Sequence, residues 1–403
     1  MSRFFEKNNL IVIAVSMLFL GMSTRMLYSH LALYLKFELH ASLIQISLIE
    51  GCVEFLSYLV RVLFGLISDY FFTRKIWILS GCAVVLLIKP FFVLLNGVGE
   101  IMCAAFVDRF GTGMQICPRD ALTAECSAKN QYSTAFGFVK SLKTIGSIVG
   151  VMLAVAIMYF SGENYRMLFL CSTVPALLSL LAVTAIRPDK STTKTTLQMN
   201  NQKNPRQRIG VFLTSLRHFN RDFFILLISA GICRMGFFGE SLLVLRASDI
   251  TFNNFAALTT LFVGVGQIIF AYPMGIWADK TNKTHIIGIS LVISIVAHIS
   301  MMLCDNIYTL FVGIFFSSGQ QAVIQTLFLS IISSNVGNDL RATAFGIFHC
   351  TMGAAYLIGT GVCGLLCEGW GYAGAFLYCI IVNCYGLLLC KQIRQVSEHA
   401  GAV

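Results

Sequence analysis

Charged side chains are scarce in this sequence. Asp, Glu, Lys and Arg make up 12% of its 403 residues, against ~25% in an average soluble domain. Hydrophobic residues reach 57%, with a mean hydropathy of +0.77. An ordinary soluble enzyme is excluded, and an integral membrane protein is indicated. No Cys-x-x-C pair occurs among the 14 cysteines, and no His-x-x-x-His among the seven histidines. Neither a disulfide framework nor a metal site is supported. Most cysteines, such as Cys82, Cys233 and Cys379, sit in apolar runs, where Cys behaves as a small apolar residue. No His/Asp or nucleophile-elbow pattern supports a membrane enzyme. The Gly-Lys-Ser/Thr phosphate loop of an ATP-driven pump is missing as well. No cofactor is expected.

What is present is apolar helix. A span takes about 20 mostly apolar residues, and twelve segments qualify. In the first half they are 9–35, 44–68, 76–96, 98–126, 134–160 and 165–187; in the second, 222–246, 253–277, 284–303, 307–333, 342–367 and 370–392. The N-terminus (Arg3, Lys7, then Leu10 to Leu20) imitates a signal peptide. No small-x-small cleavage pattern follows, so it reads as an uncleaved first span. The polar, basic stretch between the halves reads as a linker. The expected organisation is a six-helix bundle over 1–188, a cytoplasmic linker over 189–220 and a second bundle over 221–403.

The net charge of +10 reports topology, not nucleic-acid binding. With the N-terminus placed inside, 18 Lys and Arg fall on the cytoplasmic side, three (Lys36, Arg166, Arg246) fall outside, and eight lie within spans. That asymmetry follows the positive-inside rule and predicts both termini in the cytoplasm.

The halves repeat each other. Gly65-Leu-Ile-Ser-Asp69 ends the second span and Gly275-Ile-Trp-Ala-Asp279 the eighth. Thr134-Ala-Phe-Gly137 opens the fifth and Thr343-Ala-Phe-Gly346 the eleventh, an offset of 209. Arg25-Met26 matches Arg234-Met235 at the same offset. The pattern predicts an all-α polytopic protein of two six-helix bundles related by a pseudo-two-fold axis, a transporter architecture. A channel built from small oligomeric bundles does not fit it.

The loops after spans two and eight combine Gly-x-x-x-Asp with a basic cluster: Gly65, Asp69, Arg74 and Lys75, then Gly275, Asp279, Lys280 and Lys283. They resemble the signature of the major facilitator superfamily, and the resemblance covers the whole chain. It implies a twelve-span secondary transporter in which these residues gate access. The first copy departs from the pattern, with Tyr70 where a basic residue is usual and Phe72 where Gly is usual.

Span four reads DRFGTGMQICPRDALTAE and carries Asp108, Arg109, Arg119, Asp120 and Glu125. It resembles a subgroup of that superfamily with a charged fourth helix. A charge in the bilayer core costs ~3 kcal/mol or more and usually faces a polar interior. Arg109 is expected in a cavity, and Arg119, Asp120 and Glu125 at a cytoplasmic gate, with Arg119 and Asp120 paired. Pro118 is expected to kink the helix.

Further polar positions fall on helical stripes. Span five places Lys140, Lys143, Thr144 and Ser147 along one side and Gly146, Gly150 and Ala154 on the other, the second being a small-residue packing ridge. Arg25 and Arg234 read either as a clamp for an anion or as partners of acids such as Glu54 and Glu240. Lys89 adds another buried cation. Gln267, Gln321 and Gln325 either line a cavity or join helices. Eight cations within spans face five acids: Glu54, Asp108, Asp120, Glu125 and Glu240. An uncompensated buried cation is expensive, so the expected partner is a small anionic or zwitterionic solute. Glu54, Asp108 and Glu240 are the candidates for proton coupling. The expected protein is a monomeric carrier in the cell inner membrane, and the alternative is a proton-driven multidrug or siderophore-type efflux carrier.

Overall fold

The structure is a computed structural model that describes residues 2–71, 74–126, 132–186, 221–280, 282–303, 306–335 and 341–400. All secondary structure among the described residues is helical. In chain order the first seven helices are α1 (Ser2–Phe37), α2 (Leu43–Phe71), α3 (Arg74–Phe91), α4 (Val98–Glu125), α5 (Tyr132–Ser161), α6 (Tyr165–Cys171) and α7 (Thr173–Thr184). The later helices are α8 (Arg221–Met235), α9 (Glu240–Ile250), α10 (Asn253–Ala256), α11 (Thr259–Lys280), α12 (Lys283–Leu303), α13 (Ile307–Asn335) and α14 (Arg341–Ala400). Among the described residues, eight stretches are long and apolar enough to cross a membrane. The expected spans not among them fall on α3, α4 and α11; in α4 the charges of the DRFGTGMQICPRDALTAE stretch lower the hydropathy.

Several expected spans depart from a simple rod. The sixth is split into α6 and α7 at Ser172. Pro175 is the cause, because its ring clashes with the carbonyl four residues back, that of Cys171, and it has no N–H to offer. The seventh is split into α8 and α9 by Gly236-Phe-Phe-Gly239. The eleventh and twelfth are joined in α14 through Gly371, whose φ of 72° and ψ of −178° are open essentially to glycine alone. By contrast α4 runs on through Pro118.

Packing gathers the chain into two compact units, residues 1–30 with 56–214 and residues 31–55 with 215–403. The end of α1 and the start of α2 pack within the second unit.

In the first unit, Ile13, Ala14 and Met17 of α1 share a core with Ile78, Cys82 and Val85 of α3 and with Val139 and Val183. The expected small-residue ridge packs α5 on α1. A Cβ on Gly150 would lie 2.9 Å from Met22 Cα, and one on Gly146 would overlap the Leu18 carbonyl. Lys75 donates to the carbonyls of Thr184 (2.9 Å) and Ile186 at the end of α7, where a cation also favours the helix dipole. In the second unit, Leu226, Leu227 and Ala230 of α8 pack with Val323, Leu327 and Phe328 of α13 and Phe348 of α14. The pairing of spans one and five recurs in spans seven and eleven, where a Cβ on Gly359 of α14 would lie 2.8 Å from the Met235 carbonyl oxygen.

This packing predicts substitutions of opposite sign. Gly146→Leu forces α5 away from α1 and should cost about 1–3 kcal/mol, the usual range for overpacking. Gly264→Ala meets nothing within 4 Å and should be neutral or stabilising by up to ~1 kcal/mol. Thermal unfolding of the purified protein in detergent checks both.

Candidate solute site and its supports

The charged residues of α4 do not act as one group. Asp108 is fully buried and faces Lys89 of α3, also fully buried. Lys89 Nζ lies 3.9 Å from Asp108 Oδ1 and donates to the Ser23 carbonyl at 3.2 Å. Tyr28 of α1 donates to Asp108 Oδ2 at 3.1 Å. The Arg109 guanidinium sits 3.9 Å over the ring of that tyrosine, a cation–π contact. Three helices thus meet on one carboxylate.

Arg119 stands apart from the other charges of α4. It is 1% exposed and turns into the first-unit core. Its guanidinium reaches Gln115 Oε1 (2.6 Å), Met17 Sδ (2.6 Å) and Cys82 Sγ (3.5 Å). Asp120 is exposed instead, with Lys143, Arg119 and Arg61 as its charged neighbours. Neighbouring residues on a helix do not face each other, so Arg119 and Asp120 attract each other by charge while their side chains sit in different surroundings.

The stripe of α5 is also revised. Lys140 is exposed and Lys143 half-buried, so Lys140 leaves the set of buried cations. Thr144 and Ser147 donate to the carbonyls of Lys140 and Lys143, each at 3.0 Å, and satisfy their own helix. Arg61 is half-buried, bonds Ser57 at 2.9 Å and stacks on Tyr58 at 4.7 Å. Arg25, Glu54, Glu240 and Gln325 are half-buried. Arg74 and Lys283 are half-buried at the starts of α3 and α12. The surroundings of Gly65 and Gly275 and the side chains of Asp69, Glu125, Asp279 and Lys280 lie outside what the structure describes.

The second unit holds a different kind of cluster. Arg234, 6% exposed, lies at the end of α8. Its guanidinium stacks 4.2 Å over Tyr356 and 5.3 Å from the ring of Phe237. With its amide oxygen turned to that guanidinium, Gln321 of α13 accepts from Arg234 Nη2 at 2.9 Å. Gln267 Nε2 of α11 lies 2.8 Å from the same terminal amide. Three of the sequence-selected residues therefore meet, and their shared polar contacts are neutral amides.

Beside Arg234 is the break between α8 and α9, and it is bracketed. Asn383 of α14 donates to the Gly236 carbonyl at 3.1 Å. Glu50 of α2 accepts from the backbone N–H groups of Glu240 (2.8 Å) and Ser241 (3.1 Å), the orphan donors of α9. Tyr356 donates to the same carboxylate at 2.5 Å. Asn383 in turn meets Gln320 (3.3 Å) and Ser294 (3.4 Å), and Ser294 meets His298. Sequence reading did not single out Asn383, Tyr356 or Glu50. The available signal was the Gly-Phe-Phe-Gly interruption of an apolar span, which marks a discontinuous helix.

Repeated helical halves, a broken span and convergent polar groups between helices define a polytopic membrane carrier. The sequence matches the Major Facilitator Superfamily over residues 13–248 and again over 241–397, and the chain belongs to that family. An uncharacterized MFS-type transporter of Methanocaldococcus jannaschii is 24% identical over 345 residues, covering 80% of this chain and 79% of that protein. Among solved structures, a variant of the nucleoside transporter NupG superposes with a TM-score of 0.76 at 15% identity, covering 96% of this chain and 99% of that one. A POT family transporter in complex with 5-aminolevulinic acid superposes at 0.75 and 12% identity, covering 97% and 96%. The peptide transporter POT in complex with sulfate does so at 0.75 and 12%, covering 98% and 95%. These likenesses establish the fold. The chain is a transporter, not an enzyme.

The buried ion pair gives a test of structural role. Removing one partner leaves a buried charge and typically costs about 3–5 kcal/mol. Asp108→Asn and Lys89→Met should each lower the melting temperature sharply, and the double variant should recover most of the loss. Additive losses in the thermal melts would show that the two do not act as a pair.

Proposed function

We propose that the protein is a secondary active transporter that moves a small polar solute, anionic or zwitterionic, by alternating access coupled to protons. One observation carries the reading. Arg234 is a buried guanidinium that, among the described residues, meets two aromatic faces and a neutral amide. A buried cation without a carboxylate is costly, and an anionic group on the solute would relieve it. Gln267 and Gln321 beside it offer hydrogen bonds to the rest of a polar molecule. The sulfate and 5-aminolevulinic acid held by the two POT structures are small molecules of this charge type, at an identity that speaks for fold only.

The other expected cavity residues, Arg25, Lys89, Arg109, Lys143 and Gln325, divide by what they already hold. Lys89 is engaged by Asp108 and is better read as a support. Asp108 is engaged by Lys89 and Tyr28, and Glu54, Asp108 and Glu240 stay the candidates for proton coupling. The Lys and Arg distribution supports both termini in the cytoplasm of a cell whose inner membrane carries the protein as a monomer. Gating by the two Gly-x-x-x-Asp loops belongs to the same proposal.

Counterflow in proteoliposomes tests it, with a panel of small anionic, zwitterionic and cationic metabolites and lipophilic dyes. Anionic or zwitterionic solutes should exchange, and an imposed proton gradient should drive their accumulation. Arg234→Lys keeps the charge but loses the planar fork and the stacking; it should raise KM about tenfold, ~1.4 kcal/mol. Carriage of cations alone would overturn the reading, and carriage of dyes alone would favour the efflux alternative.

A further inference from the structure

Glu50 is in an unusual position for a carboxylate on a membrane helix. It is half-buried, two turns into α2 from the short 38–42 connection. Since α1 and α2 are consecutive spans, that connection lies on the face opposite the start of α1. The carboxylate accepts three hydrogen bonds, two from the first backbone N–H groups of α9 and one from the Tyr356 hydroxyl. A Cβ on Gly239 would lie 2.9 Å from Glu50 Oε2, so α9 begins where the carboxylate fits. Other titratable groups face it from each neighbouring helix: Glu240 on α9, and Tyr356 and Cys363 on α14. Glu54, one turn along α2, and Arg234 of α8 both act on Tyr356.

The contacts around Glu50 form a seam, all of it within the second unit. Glu368 of α14 accepts from the Ile44 N–H at 2.9 Å, at the start of α2. Lys36 pairs with Asp249 at 3.0 Å. Gly51 and Gly364 let α2 approach α14 closely, the first against Thr360 and Leu357 and the second against Ser47. Glu50 is the member of this seam that both lies inside the helix packing and can take a proton.

We infer that Glu50 is a proton-binding latch, whose deprotonated carboxylate fastens α2 and Tyr356 to the start of α9 and whose protonation releases them. The balance is simple. An ionised carboxylate presents acceptors only, and all three neighbours are donors. A proton on Oε2 turns it into a donor aimed at the Ser241 N–H, which has no lone pair to accept it, and a proton on Oε1 faces the Glu240 N–H and a phenol that can accept only by giving up its own bond to the carboxylate. At least one bond is lost and a donor–donor clash appears, so the start of α9 is freed. Tyr356 also lies under the Arg234 guanidinium, which places the solute site and the latch on opposite sides of one phenol. The inference rests on the proton-coupled reading for the latch's role, but the latch itself is observable without any solute.

Hydrogen–deuterium exchange of the full chain in lipid nanodiscs tests it. The readout is a peptide containing Glu240 and Ser241, with the intrinsic pH dependence of exchange divided out. Between pH 7.5 and 5.5 the wild type should lose protection there by tenfold or more. Glu50→Gln cannot accept both N–H bonds and the phenol, so it should be deprotected at both pH values. Tyr356→Phe leaves a proton competing with two donors instead of three, and protection should fail at a higher pH than in the wild type. Equal protection at both pH values in the wild type would overturn the inference, as would a Glu50→Gln protein protected like the wild type. If Glu50→Gln does not fold, an unmoved pH dependence in Tyr356→Phe overturns it. Loss of protection in a protein that then carries only lipophilic dyes would leave the latch standing and remove the solute class.

Discussion

A backbone break inside a bilayer has to be satisfied without water, and the interruption at Gly236–Gly239 is where that constraint acts most strongly here. Each unpaired N–H or C=O in hydrocarbon costs several kcal/mol. Asn383 meets the carbonyl side at Gly236, and Glu50 meets the N–H side at Glu240 and Ser241. The break therefore fixes what must surround it. It draws residues 31–55 into the second unit, sets Tyr356 beside Glu50, and leaves Arg234 buried at a helix end where its guanidinium needs partners. The phenylalanines between the glycines add apolar weight, with Phe238 stacked on Phe376 at a ring separation of 4.6 Å.

Much of this was legible in the sequence because hydropathy and repeats are local signals. The helices appeared close to their expected places, and the Gly146–Gly150 ridge packed on α1 as small residues at a four-residue step should. Arg234, Gln267 and Gln321 lie on three different helices and still came together, since polar residues in apolar spans have few other places to go. Arg119 and Asp120 misled for a geometric reason: adjacent in sequence, they project about 100° apart around a helix. Lys140 misled because periodicity identifies a stripe but not what lies opposite it. Glu50 was legible as a carboxylate but not as a cap, because the helix end it caps exists only once α8 and α9 separate.

The two polar clusters differ in a way that bears on which one yields to a solute. Lys89 and Asp108 are full charges at 0% exposure, held from three helices. Displacing one would strand the other in a low-dielectric interior, at several kcal/mol. Such a pair fixes a bundle more readily than it opens one. The contacts among Arg234, Gln321 and Gln267 are hydrogen bonds in which at least one partner is neutral. Interhelical bonds of this kind are worth about 0.6–2 kcal/mol each, and an entering carboxylate or amide can replace them one for one. Lability and specificity then coincide at Arg234. The cation that is hardest to leave alone is held by the partners that are easiest to exchange. The phenol it rests on also donates to Glu50, so the proposed solute site and the start of α9 share one side chain.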